Sequence, residues 1–263
     1  MRTAIPILAA WFGLAVPASA VEIRDIQAAH GRFGPVRARL DAFPLEELCF
    51  RFSVAGLKPD ADGRVSYEVA TTLTDATDRE LLNDRTNHTI ELLQGGETVA
   101  AAAGVLIGAS VAPGTYTLTI RVTDRAGGGS AQFVRKVNCQ AAEFRLINPR
   151  FFHDVARTSP AAAAGLVGQT LFLRVQAASP EWRDGRSAVS LRLDVCDPDG
   201  RIVSRRPITI RREVDRGGPY RALAVDADLP LTQAGEFLIR LTLLDEVARK
   251  ESTLTLPLTV SRP

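Results

Sequence analysis

The chain has 263 residues, 46% hydrophobic and 24% charged, with a formal net charge of +2, enough for two domains of ordinary size, each with its own core. Its 32 basic and 30 acidic residues alternate along the sequence, which leaves no charge block to hold nucleic acid or an acidic membrane. Three cysteines are too few for a disulfide framework, so the fold must rest on burial.

The first element is Arg2, an apolar run from Ala4 to Val16, Pro17 and the small residues Ala18-Ser19-Ala20. This reads as a signal peptide over 1–20, cleaved after Ala20, and predicts a secreted or periplasmic protein. The run is too short to cross a bilayer, and no later stretch approaches the roughly 20 apolar residues a spanning helix needs, so no transmembrane segment is expected. No Cys follows the cleavage point to carry a lipid.

Beyond it the period is two. Leu48, Phe50, Phe52 and Val54 alternate with Cys49, Arg51 and Ser53, the pattern of a strand with one dry face. Pro59-Asp60-Ala61-Asp62-Gly63 is turn chemistry, and residues 79–93 read as a strand, a loop and another strand. Pro113-Gly114 opens a run in which Tyr116, Leu118, Ile120 and Val122 alternate with Thr and Arg, and Gly127-Gly128-Gly129 closes it. After a joint near 140–143 the order returns: Leu171, Leu173, Val175 and Ala177, then Val189, Leu191, Leu193 and Val195. Asp197-Pro198-Asp199-Gly200 and Gly217-Gly218-Pro219 are further turns, and Leu254, Leu256, Leu258 and Val260 end the series.

The two halves repeat. The run from Gly114 to Asp124 is matched residue for residue from Gly235 to Asp245, and the run from Leu48 from Leu171, with the spacing drifting by single residues between blocks. No amphipathic helix interrupts the series. The expected fold is all-β: two tandem immunoglobulin/fibronectin-III-like antiparallel β-sandwiches, module 1 over 21–139, a linker over 140–143 and module 2 over 144–263. The stretch at 113–124 resembles the penultimate strand of many bacterial immunoglobulin-like extracellular modules. The segments at 48–64, 113–124, 144–155 and 166–175 together resemble a class of secreted bacterial proteins with two tandem immunoglobulin-like β-sandwich modules. That resemblance implies fold and compartment, and no activity.

Residues able to carry chemistry are sparse. His30 and His153 occupy equivalent repeat positions, which places them in different modules and speaks against a shared metal or a catalytic pair. Asp60, Asp62, Asp197, Asp199, Asp226 and Asp228 suggest calcium, but Asp62-Gly63 and Asp199-Gly200 read more simply as hairpin turns. Gly127-Gly128-Gly129-Ser130 lacks both the elbow of a hydrolase serine and the Lys and helix of a phosphate loop. No catalytic, cofactor or metal residue is nominated.

Cys49 and Cys139 fall at strand ends that an immunoglobulin-like topology brings to one end, which leaves a disulfide between them open and Cys196 unpaired. Their parity speaks against it, since Cys49 shares a face with Arg51 while Cys139 aligns with core-facing Val260. Trp182 lies in a loop and is the candidate ligand contact. Asn87-His88-Thr89 fits a glycan acceptor, relevant only to a eukaryotic secretory route.

The expected function is a non-enzymatic structural or protein-interaction role in the cell envelope. The alternatives are a carbohydrate-binding accessory module and an envelope chaperone acting by β-strand addition. The partner is then an envelope protein or polysaccharide, with no nucleic acid and no cofactor.

Overall fold

The computed structural model describes residues 20–263 except 38, 94, 97 and 216–221. The signal peptide expected over 1–20, apart from Ala20, and the turn expected at Gly217-Gly218-Pro219 therefore lie outside the described residues. Among the described residues the chain is strand and turn, without helix.

The first half contains β1 (Glu22–Ala29), β2 (Asp41–Ala42), β3 (Glu47–Ala55), β4 (Arg64–Thr74), β5 (Glu80–Glu91), β6 (Thr98–Leu106), β7 (Gly114–Asp124) and β8 (Ser130–Cys139). The second half contains β9 (Arg145–Phe152), β10 (Pro160–Ala161), β11 (Ala164–Leu166), β12 (Thr170–Ala178), β13 (Arg186–Cys196), β14 (Ile208–Asp215), β15 (Ala222–Pro230), β16 (Gly235–Asp245) and β17 (Lys250–Ser261). They build four sheets, ordered β1-β3-β6 and β2-β8-β7-β4-β5 in the first half, and β10-β9-β12-β15 and β11-β17-β16-β13-β14 in the second. The orders correspond strand for strand, and β10 stands where the first half has only the bridge between Ala29 and Val36. All long pairings are antiparallel; β2 on β8 and β11 on β17 are short parallel contacts.

Each pair of sheets encloses its own core, because alternation sends every second side chain inward. Leu48, Phe50, Phe52 and Val54 of β3 meet Leu118, Ile120 and Val122 of β7 in the first core. Leu171, Leu173 and Val175 of β12 meet Val189, Leu191 and Leu193 of β13 and Ile239, Leu241 and Leu243 of β16 in the second.

The acid that ends both repeated strands has a structural task. Asp124 is buried, and its carboxylate accepts from Lys58 N at 3.0 Å and Ala126 N at 2.9 Å. Asp245 accepts from Glu181 N at 2.7 Å and from Val247 N and Ala248 N, each at 2.9 Å. Each carboxylate pins the hairpin after its own strand to the loop that leads out of β3 or β12.

One expectation needs correction, and one open pairing is closed. Residues 79–93 do not break into two strands: β5 is continuous from Glu80 to Glu91 and pairs with β4 along that length. It is an edge strand with its polar side chains in water, so the Asn-Asp and Asn-His pairs meet no penalty there. Only the corresponding stretch of the second half breaks, with a bridge at Ile202 before β14 begins at Ile208. The disulfide between Cys49 and Cys139 is not formed, and all three cysteines are buried and free. Pleat parity is the reason: Cys139 lies in the first core, whereas Cys49 sits on the opposite face of β3 from Phe50 and Phe52.

Candidate interaction site at the joint between the sandwiches

The strand that opens each half carries the same defect. In β1 the register to β3 slips between Arg24 and Gln27, and in β9 the register to β12 slips at the corresponding place, opposite Arg174 and Gln176. Both are bulges of one extra residue, and each turns on a residue with positive φ: Asp25 at 53° and Asn148 at 51°. Asn and Asp tolerate that conformation better than other side chains, and Pro149 fits because a bulge leaves a strand N–H without a ladder partner.

The bulge aims the Asn148 side chain at the first sandwich. Its Oδ1 accepts from Glu47 N at 2.8 Å, while Nδ2 donates to Leu45 O at 2.9 Å and to Gln176 Oε1 at 2.7 Å. A carboxamide can both accept and donate in this way, and a carboxylate cannot. Leu45 is held at φ 72° by donating its N–H to Ile107 O at 2.8 Å, so the receiving turn is itself fixed. Around this clamp Arg150 pairs with Glu47, and the Arg145 guanidinium lies 3.7 Å from the centre of the Phe43 ring.

Between these contacts lies a cleft of about 280 Å³, lined by His30 to Gly34 and Glu47 from the first sandwich and by Arg150 to Phe152, Pro160 and Ala161 from the second. Burial, reinforced by the neighbouring Arg37 charge, lowers the His30 pKa to about 4, so this ring is neutral near pH 7. The Cys49 thiol is pushed up to about 11, first by burial and then by Glu47. It stays protonated and is a poor nucleophile.

The remaining candidates are scattered. His153 is exposed, far from its repeat equivalent in the chemistry it meets, and His88 stacks on Tyr67 at 5.1 Å between ring centres. Asp60 turns inward on its own loop, accepting from Asp62 N and Arg64 N, each at 2.9 Å. Asp226 is bound by Arg174 through two hydrogen bonds, at 2.7 and 2.9 Å, and Asp228 by Arg157 at 3.1 Å. No group of three His, Cys, Asp or Glu side chains suited to a metal occurs among the described residues. Ser130 begins β8 just beyond the glycine turn. Trp182 is half-buried and packs against the second core, so its ring is not a free-standing platform. Sequence reasoning passed over Asn148, Arg145 and Arg150. The signal available for them was an Asn-Pro pair inside an otherwise apolar strand.

No protein-family profile and no curated protein sequence matches the chain. Among solved structures, the C-terminal domain of the Streptococcus agalactiae AgI/II polypeptide BspA is similar over 90% of this chain and 100% of its own, at 8% identity and a TM-score of 0.32. Red sea bream transglutaminase is similar over 94% of this chain and 32% of its own, at 9% identity and a TM-score of 0.27. The C-terminal domain of wzt covers 46% of this chain and 77% of its own, at 11% identity and a TM-score of 0.33. Likenesses of this size carry nothing about activity or partner to this chain. No helix among the described residues is long and apolar enough to cross a membrane.

Proposed function

We propose that the chain is an exported, non-enzymatic protein of the cell envelope that holds two sandwiches in one orientation and presents their edges and loops to a protein partner. The observation that carries this reading is the Asn148 clamp, which ties the bulge of β9 to the turn before β3 by hydrogen bonds at 2.8 and 2.9 Å. Domains that only need tethering are joined by a free linker, and their relative motion is then the default. A joint fastened by an amide, an ion pair and a cation–π contact keeps loops at opposite ends of the molecule at a fixed separation.

The ionisable groups of the joint are tuned away from catalysis. Glu47 and Arg150 neutralise each other, and His30 has its pKa near 4, well below the range of a useful general base. The leader read in residues 1–20 supports export, since it combines a basic start, a short apolar run and a small-residue cleavage site.

The test combines compartment and geometry. The mature chain is expected in the extracytoplasmic fraction with Val21 as its first residue, and cross-linking in intact cells is expected to give a discrete protein adduct that Asn148→Ala weakens. Cytoplasmic retention with residues 1–20 still attached sinks the reading.

A further inference from the structure

Among the described residues eight strand edges bound the four sheets, and seven of them are defended against pairing with another chain. β2, β10 and β11 span only two or three residues. β1 is broken by its bulge, and β5 and β14 carry charges along their length, among them Asp84, Arg85, Arg211 and Glu213. β15, the counterpart of β6, carries Asp226, Asp228 and a terminal Pro230.

The eighth edge is β6, Thr98–Leu106, which has no charge, no proline and no bulge. It pairs with β3 in unbroken register from Glu47 opposite Leu106 to Ala55 opposite Thr98, so its other side offers a straight row of backbone donors and acceptors. Leu106 is 58% exposed at its end.

We infer that β6 is a self-association edge, along which two copies of the chain pair antiparallel about a two-fold axis at Ala102. The sequence of β6 complements itself about that axis. On the core face Val99 meets the partner's Val105 and Ala101 meets the partner's Ala103. On the outer face Ala100 meets the partner's Gly104, and Leu106 folds over the partner's Thr98. Arg51, beside Ala102 on β3, stands about 14 Å from its counterpart across three strand spacings, beyond the screening length at physiological salt. Pairing turns two three-stranded sheets into one of six, with no charge buried.

This inference rests on reading the chain as an interaction protein, and names one partner. Sedimentation of the mature chain is expected to show a dimer. Ala102→Lys sets like charges face to face on the axis, each beside Arg51, and weakens dimerisation at least tenfold, whereas Ala102→Glu weakens it less because Arg51 offsets part of its charge. An equimolar mixture of the two restores it, because Lys then faces Glu. Ala100→Lys, on an exposed neighbouring position, separates the copies as well should either axial variant fold poorly. A wild-type chain that stays monomeric up to about 100 µM overturns the pairing. So does a monomer that instead takes up an unrelated extended peptide along β6, or a dimer indifferent to charge at Ala102. Any of these leaves the envelope reading standing, whereas cytoplasmic retention removes that reading and leaves the dimer.

Discussion

Asn148 and Asp25 occupy the same position in the two bulges, and the difference of one atom group decides what each can do. The amide at 148 meets an N–H on one side and two oxygens on the other. Asn148→Asp keeps the bulge and the size of the side chain, but sets a carboxylate oxygen against Leu45 O and Gln176 Oε1. The expected cost is about 2 kcal/mol at the joint. Small-angle scattering is expected to show a broadened distribution of shapes while each sandwich keeps its own unfolding transition. Asn148→Ala is expected to be milder, since it removes the bonds without adding repulsion. A second residue runs the other way. The hydroxyl of Ser187 is buried in the second sandwich without a hydrogen-bond partner, where the first sandwich has Val65 at the matching place in β4. Ser187→Val is expected to raise stability by about 1 kcal/mol, read as a higher urea midpoint at unchanged slope.

At the scale of the element, the hairpins between β7 and β8 and between β16 and β17 are anchored by buried carboxylates. Asp245→Ala removes a fully buried carboxylate and strips three part-buried backbone N–H groups of their acceptor, at an expected cost of about 2 kcal/mol. Hydrogen exchange at Glu181, Val247 and Ala248 should accelerate first, ahead of the strands. The acid closing each repeated strand was visible in the sequence, but its role was not, because one of the amides it binds lies on a loop more than sixty residues away. The strands themselves were legible: Leu48, Phe50, Phe52 and Val54 are buried, as alternation demands, and so are Leu118, Ile120 and Val122. Alternation reports which face is dry and nothing about edges, which is why the polar β5 was misread as two pieces. The bulge at Asn148 escaped for a related reason. A bulge is defined by the partner strand opposite it, and the period of one strand alone does not reveal its neighbour.

At the scale of the whole molecule, stability depends on pH in two separate windows, of which the upper belongs to the joint. His30 sits in the cleft between the sandwiches, facing Arg37, Arg32 and Arg150 as well as Glu47, and burial holds its pKa at about 4 against 6.5 unperturbed. The unfolded chain therefore binds a proton there that the folded chain refuses, and stability falls as pH drops from about 6.5 to about 4. Below that both states are protonated and this contribution is already lost. Asp75 and Asp154 act lower down. Each is partly exposed, and its carboxylate accepts hydrogen bonds from nearby Thr side chains and backbone amides, which lowers its pKa from 3.8 to about 2. Their stabilisation is present above about 4 and disappears as pH falls through 2. His30→Gln, which carries no titrating proton, is expected to flatten the upper window and leave the lower one unchanged. Urea unfolding at half-unit steps from pH 7 to pH 2 separates them. A His30→Gln profile that still declines between pH 6.5 and 4 would place the proton uptake elsewhere and remove His30 as the pH-dependent part of the joint.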